Sequence, residues 1–127
     1  MAKNIKNLTR VEEQIMQELW EIKKGFVKEI IARLPPPKPA YSTVSTIVRI
    51  LVQKGFIGFK AYGKTHEYYP LISREQYKDF ETDKLLSGYF DDSLGSLVSF
   101  FVKKKHIDIR EANEIIRLLQ DFKNDRS

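Results

Sequence analysis

The stretch YSTVSTIVRILVQKGF, from Tyr41 to Phe56, decides the fold of this chain. Its apolar residues at helical spacing are Val44, Ile47, Val48 and Leu51. This spacing predicts an amphipathic helix whose other face carries small hydroxyl side chains. Gly55 suits the position after a helix, where glycine tolerates a positive φ. We therefore predict a short helix with a buried face and an exposed polar face that fits a DNA groove.

The next segment, FIGFKAYGKTHEYYP, alternates as two short strands about a turn at Tyr62, Gly63 and Lys64. Gly63 permits the positive φ that a tight hairpin needs. Lys64 places a cation at the tip, and Lys60 adds a second cation nearby. For Tyr62, a hydroxyl contact to phosphate stays open beside ordinary strand packing.

Two further helices are predicted before this stretch. Thr9 and Glu12 fit a capping box that starts the first helix, which runs to Gly25. Its apolar stripe consists of Val11, Ile15, Leu19 and Ile22, broadened by Met16 and Trp20. A second, shorter helix must end before PPPKP at 35–39, because proline lacks an amide donor and restricts its predecessor. We interpret PPPKP as a stiff turn, with a ligand for a proline-binding domain as the alternative.

Three helices followed by a hairpin predict a mainly α fold with a small β-hairpin wing, the winged helix-turn-helix. In this fold the third helix enters the major groove of DNA. We assign residues 1–72 to this DNA-binding domain and residues 73–127 to a helical dimerisation region.

Short hydroxyl side chains on the third helix allow close approach to DNA and hydrogen bonds to phosphates or base edges. Arg49 is the strongest single candidate, and its planar fork suits either guanine or phosphate, so both contacts stay open. The predicted DNA-binding residues are Tyr41, Ser42, Thr43, Ser45, Thr46, Arg49, Lys60, Gly63 and Lys64.

The charge of the chain is concentrated in its first part. Residues 1–72 hold 12 Lys/Arg against 6 Asp/Glu, a net charge of +6, whereas residues 73–127 hold 10 against 11. No carboxylate occurs between residues 40 and 66. Such an imbalance is typical of phosphate binding, with a merely solvated basic face as the alternative.

The second half of the chain predicts three more helices, with caps at Ser73 with Gln76 and at Asp108 with Glu111. So many apolar residues in a short region are more readily buried against a second copy than alone. We therefore predict a homodimer, with an intramolecular cap on the winged domain as the alternative. The dimer residues are Tyr77, Phe80, Tyr89, Leu94, Leu97, Val98, Phe101, Ile115, Ile116 and Leu119.

Several functional classes are disfavoured by the composition. The chain contains no Cys, so thiolate metal sites are excluded, and we expect no metal and no cofactor. No nucleotide-binding or hydrolase motif is present, which argues against an enzyme. No signal peptide or long apolar run appears in the 127 residues, so we expect a soluble, cytoplasmic protein.

Four segments together resemble the penicillinase-repressor family of bacterial transcriptional regulators, the BlaI/MecI/CopY group. They are EEQIMQELW (Glu12 to Trp20), TVSTIVRILVQKGFI (Thr43 to Ile57), GKTHEYYPLIS (Gly63 to Ser73) and SLGSLVSFFV (Ser93 to Val102). The resemblance implies a homodimeric repressor that binds an inverted repeat in double-stranded DNA, with recognition residues between Tyr41 and Arg49.

The resemblance also implies that repression is relieved by proteolysis, after a signal from a membrane-embedded zinc metalloprotease sensor. Cleaved members carry an Asn-Phe bond where this sequence has Phe100 and Phe101, so the Phe is kept and the Asn is not. The cysteine-rich metal site of the copper-responsive branch is missing.

Two other functional hypotheses remain open at this point. A winged helix can mediate protein assembly instead of binding DNA, since a fold does not fix a function. A repressor of this kind can also respond to a small molecule bound between the winged domain and the helical half.

Overall fold

The computed structural model describes residues 5–104 and 107–126. The elements, in chain order, are α1 (Arg10–Ile22), α2 (Val27–Arg33), α3 (Tyr41–Gln53), β1 (Ile57–Tyr62), β2 (Thr65–Pro70), α4 (Arg74–Tyr89), α5 (Leu94–Lys104) and α6 (Ile109–Arg126). The predicted fold class, mainly α with one β-hairpin, is confirmed. The chain divides into two compact units, Met1–Glu81 and Thr82–Ser127.

The core of the first unit is built from the apolar stripes of its three helices and the base of the hairpin. The side chains that are fully enclosed are Ile15, Met16, Leu19, Ile30, Val44, Val48, Leu51, Phe56 and Ile57. Val11 was predicted to belong to the α1 stripe, but its side chain is 47% exposed. It lies at the edge of the stripe, beside the proline loop, where it lines a shallow groove.

The ends of the helices follow from local chemistry. At the start of α1, Thr9 Oγ1 accepts from the amide of Glu12, whose carboxylate accepts from the amide of Thr9, as the capping box predicts. At the end of α3, Gly55 has a φ of +82°, and the amide of Phe56 reaches back to the carbonyl of Leu51. Helix α1 therefore begins, and helix α3 ends, where the sequence predicts.

The wing is a two-residue hairpin whose first turn residue, Gly63, has a φ of +63°. A third piece of chain joins it, because Gly25 exchanges two backbone hydrogen bonds with Tyr68, of 2.9 and 2.8 Å. Gly25, predicted as the end of the first helix, therefore forms an isolated bridge to β2, and α1 already ends at Ile22.

The first unit extends into α4, past the boundary drawn after Ile72 in the sequence. Tyr77 is buried, and its ring lies 5.6 Å from the rings of Phe56 and Phe80. Its hydroxyl accepts a hydrogen bond from the amide of Leu8, and burial raises the pKa of Tyr77 to about 12. The assignment of Tyr77 to a dimer surface is therefore corrected, since its ring is a core residue of this unit.

A partly buried ion pair connects α1 with the end of α3. Lys54 Nζ lies 2.7 Å from Glu12 Oε1 and also donates to the carbonyl of Asn7. Burial raises the pKa of the Glu12 carboxyl, but hydrogen bonds from Lys54 and Thr9 outweigh this and hold the pKa below its ordinary value. The pair therefore stabilises the fold while Glu12 is ionised.

Replacing Glu12 with Gln should lower the free energy of unfolding at neutral pH by about 2 kcal/mol, because Lys54 loses its carboxylate partner. Folding lowers the pKa of Glu12, so this stabilisation is present above the ordinary value of 4.5 and is lost as the pH falls through the folded-state pKa. Urea unfolding at pH 7 and at about pH 3 should therefore show the difference between wild type and variant shrinking in acid.

The control is Glu13→Gln, since Glu13 is in the same turn and forms no ion pair within the described part of the chain. A Glu12→Gln deficit that stays constant between the two pH values would contradict this account of the pair.

Candidate nucleic-acid interface

The face of α3 opposite the core is open to solvent. Val44, Val48 and Leu51 hold the helix in the core, which leaves the residues between them on the outside. Of the predicted set, Tyr41, Ser42, Thr43, Thr46 and Arg49 are exposed and Ser45 is half-buried. The helix therefore presents a polar surface about three turns long.

A cleft of about 720 Å³ lies between the start of α2, the polar face of α3 and strand β2. We call it the α3–wing cleft. Its lining residues are Phe26, Val27, Lys28, Glu29, Tyr41, Ser45, Arg49, Lys64, Thr65, His66 and Tyr68. Four of the predicted DNA-binding residues, Tyr41, Ser45, Arg49 and Lys64, are thus brought together.

The cleft carries an excess of positive charge. Lys28, Arg49 and Lys64 supply three cations, whereas Glu29 supplies one carboxylate. That carboxylate accepts a 2.9 Å hydrogen bond from the amide of Phe26 and so caps α2. An anion entering the cleft would therefore meet cations from α2, α3 and the wing.

Arg49 lies close enough to Tyr68 to influence its ionisation. Burial raises the pKa of Tyr68, the positive charge of Arg49 opposes this rise, and Tyr41 adds to it. The guanidinium is therefore part of the wall that α3 and β2 form together, while its side chain stays exposed to a ligand.

Lys60 does not line the cleft. The hairpin register pairs Lys60 with Glu67 and Phe59 with Tyr68, and successive strand residues alternate between the two faces. Lys60 therefore lies on the face opposite Tyr68, where its ammonium is 5.3 Å from the Tyr62 ring centroid. Lys60, predicted as a DNA-binding residue of the wing, therefore does not join Lys64 in the cleft.

The other predicted residues are placed around the cleft. Thr43 lines the groove beside the proline loop. Ser42 and Thr46 lie on the exposed stripe of α3 without lining the cleft, and Thr46 Oγ1 donates to the carbonyl of Ser42. Gly63 forms the turn that carries Lys64 at the exposed tip.

Sequence reasoning missed Lys28 and His66. Lys28 reaches the cleft because the bridge between Gly25 and Tyr68 holds the start of α2 against β2. A local sequence pattern cannot predict this bridge, because it pairs Gly25 with a residue of β2 that lies far along the chain. The hairpin register places His66 on the same face of the wing as Tyr68, which lines the cleft. The ring of His66 stacks on the ring of Phe59, with 4.4 Å between the ring centroids.

The second unit exposes an apolar surface. Helix α5 contains no buried residue, and Leu94, Val102 and Ile116 are each at least half exposed. A groove of about 610 Å³ lies between α5 and α6, and we call it the α5–α6 groove. Its lining residues are Leu94, Gly95, Val98, Val102, Ile107, Ala112, Ile115 and Ile116.

Four of the predicted dimer residues line this groove: Leu94, Val98, Ile115 and Ile116. Leu97 is half-buried, Phe101 and Tyr89 are exposed, and Phe80 packs against the core of the first unit. The side chain of Leu119 lies outside the described residues.

A protein-family model described as "Penicillinase repressor" matches residues 8–121 and so spans both units. The chain belongs to the penicillinase-repressor family. The prediction of a repressor family rather than an enzyme is thereby confirmed.

Two curated relatives align with most of this chain and with most of their own length. The Penicillinase repressor of Bacillus licheniformis is 24% identical over 123 residues, which is 96% of each chain. The Methicillin resistance regulatory protein MecI of Staphylococcus aureus is 26% identical over 113 residues, 88% of this chain and 92% of its own.

Structural comparison supports the fold of the first unit. The solution structure of the DNA binding domain of the repressor BlaI matches with a TM-score of 0.52 and 24% identity. It covers 59% of this chain and 93% of that domain. The winged helix-turn-helix predicted from the sequence is therefore confirmed as the fold.

Two features are absent from residues 5–104 and 107–126. No helix there is long and apolar enough to cross a membrane. No group of three or more metal-ligating side chains is assembled there either.

Proposed function

We propose that this chain is a transcriptional repressor that binds double-stranded DNA through the α3–wing cleft. In this proposal the polar face of α3 enters the major groove, and Lys64 and Lys28 contact phosphates on either side of it. The observation that carries the proposal is the gathering of Ser45, Arg49, Lys64 and Lys28 in one cleft. Two relatives that align over most of the chain support it, one named Penicillinase repressor and the other named Methicillin resistance regulatory protein MecI.

The electrostatics favour this function over a purely structural wing. Residues 1–72 carry the net charge of +6, and only Glu29 brings a carboxylate into the cleft. Neutralising phosphates with these cations releases counterions from the duplex, so binding should weaken steeply with salt. A winged helix that only assembles with other proteins would not show this dependence.

Fluorescence anisotropy tests the proposal, using a duplex from the region upstream of the coding sequence and a scrambled duplex of equal length, at about 50 and about 200 mM salt. The expected result is salt-sensitive binding that prefers the upstream duplex by at least about 10³. Arg49→Ala should cost about 1 to 3 kcal/mol on the preferred duplex if the guanidinium reads a base. Equal losses on both duplexes would assign Arg49 to phosphate, and equal wild-type affinity for both duplexes would contradict the proposal.

Lys28 and Lys60 form a matched pair, because both are exposed lysines of the first unit but only Lys28 lines the cleft. Lys28→Ala should reduce the slope of log affinity against log salt by about one for each bound subunit, whereas Lys60→Ala should leave it nearly unchanged. Titrations at four salt concentrations give both slopes. An equal fall for the two variants would contradict the placement of DNA in the cleft.

We further propose that the second unit forms a homodimer through the α5–α6 groove. The groove is lined by apolar residues, and a contiguous apolar surface of this kind on one copy favours association with another. A two-fold dimer would carry two copies of α3 and would suit an inverted-repeat operator.

Val98→Asp should convert the dimer to monomer at micromolar concentration, because it places a charge in the apolar groove. Ser99→Asp is the control, since it adds the same charge at the next, exposed position of α5. Light scattering coupled to size exclusion measures the mass, and circular dichroism checks that α5 stays helical. A dimer that survives Val98→Asp would contradict this interface.

Derepression by proteolysis, with a membrane-embedded zinc metalloprotease sensor as partner, is proposed from family membership. The bond between Phe100 and Phe101 lies inside α5, so the helix must unwind locally before a protease can take the chain in extended form. Intact mass after co-expression with such a sensor tests this. A chain that stays uncut while repression is relieved would exclude the mechanism.

A further inference from the structure

The hydroxyl of Thr46 is already engaged within α3. Thr46 Oγ1 lies 2.9 Å from the carbonyl oxygen of Ser42, one turn earlier. A carbonyl has no hydrogen to give, so the threonine hydroxyl must be the donor. The side chain is exposed on the surface of the helix. Thr46 therefore presents to a ligand a methyl group and an oxygen that has no hydrogen left to donate.

The position of Thr46 on the helix is that of a groove-facing residue. Ser42, Ser45, Thr46 and Arg49 follow the spacing i, i+3, i+4 and i+7, so they form one stripe. Ser45 and Arg49 line the α3–wing cleft. If α3 lies in the major groove as proposed above, Thr46 lies between two residues that face the bases.

We infer that Thr46 reads thymine in the operator, through contact between its methyl group and the C5-methyl of the base. This inference rests on the proposed DNA-binding function. Thymine carries the one apolar group that a base pair presents in the major groove, and a threonine methyl is a suitable partner for it. A side chain without an available donor gains nothing from the acceptor atoms of guanine or thymine. Its oxygen can still accept from the amino groups of adenine and cytosine, but only thymine offers a methyl group to the threonine methyl.

Ser45 provides the contrast. Its hydroxyl forms no hydrogen bond among the residues that the structure describes, and it lines the cleft. Ser45 therefore keeps a hydrogen for a base or phosphate, although it is the neighbour of Thr46 on the same stripe. In this inference Thr46 recognises a base through its methyl group, whereas Ser45 contacts a base or phosphate through its hydroxyl.

The test begins with a duplex selected by the full-length protein from a random library. Each thymine of that duplex is replaced singly by deoxyuridine, which lacks only the C5-methyl group. Wild type, Thr46→Val, Thr46→Ser and Ser45→Ala are titrated against each duplex. Circular dichroism and thermal unfolding confirm that the variants keep the fold.

At one thymine of each half-site, the change to deoxyuridine should lower the affinity of wild type and of Thr46→Val about fourfold, the value of one buried methyl group. Thr46→Ser, which lacks the methyl, should already bind the thymine duplex about fourfold more weakly and should lose nothing further with deoxyuridine. Ser45→Ala should remain as sensitive to deoxyuridine as wild type.

The inference is overturned if no thymine shows this pattern, or if Thr46→Val loses affinity while Thr46→Ser keeps it, because the hydroxyl would then be the reading group. If the protein still selects a defined sequence from the library, either of these results would leave the proposed DNA-binding function intact. Failure to select any sequence would instead overturn the proposed function and this inference with it.

Discussion

The two backbone hydrogen bonds between Gly25 and Tyr68 are the constraint on which the rest of the interface depends. They attach the turn between α1 and α2 to strand β2, so the start of α2 lies against the wing. A side chain at position 25 would place a Cβ 2.7 Å from Ile22 Cδ1, so the Ile22 side chain would have to move to admit it. Without this attachment the start of α2 would not be held against the wing, and the α3–wing cleft would lack its third wall.

The cleft then follows from three elements that each contribute little alone. Helix α2 brings Lys28, α3 brings Arg49, and the hairpin turn at Gly63 brings Lys64. Cations that line a concave surface focus their field into it and raise the local concentration of an anionic partner. The partly buried ion pair of Lys54 and Glu12 holds the C-terminal end of α3 against α1, so the polar face of α3 keeps its direction relative to this field.

Periodicity and end chemistry in the sequence predicted the elements well. The spacing of Val44, Val48 and Leu51 placed the buried face of α3, and Gly55 placed its end. These features are local, because a helix repeats every 3.6 residues and its ends need particular side chains. The fold class and the polar face of α3 were therefore predictable without coordinates.

The composition of the cleft was less predictable, because it depends on contacts between distant parts of the chain. Alternation along β1 predicts two faces but does not say which of them meets α3, so the sequence could not show that Lys60 lies outside the cleft. Lys28 was missed because its position depends on the Gly25 bridge. Tyr77 was predicted as an interface residue because an aromatic residue at helical spacing can belong either to a core or to an interface, and the spacing is the same in both cases.

The most direct test of the central claim, that duplex DNA occupies the α3–wing cleft, is an NMR titration of the full-length protein with its selected duplex. Amide signals of the cleft should shift most, and those of Lys28, Arg49 and Lys64 should respond together, because α2, α3 and the wing contact the same duplex. Signals of Lys60 and of the α5–α6 groove should change little. Large shifts confined to the outer face of the wing, with Lys28 and Arg49 unaffected, would contradict the account.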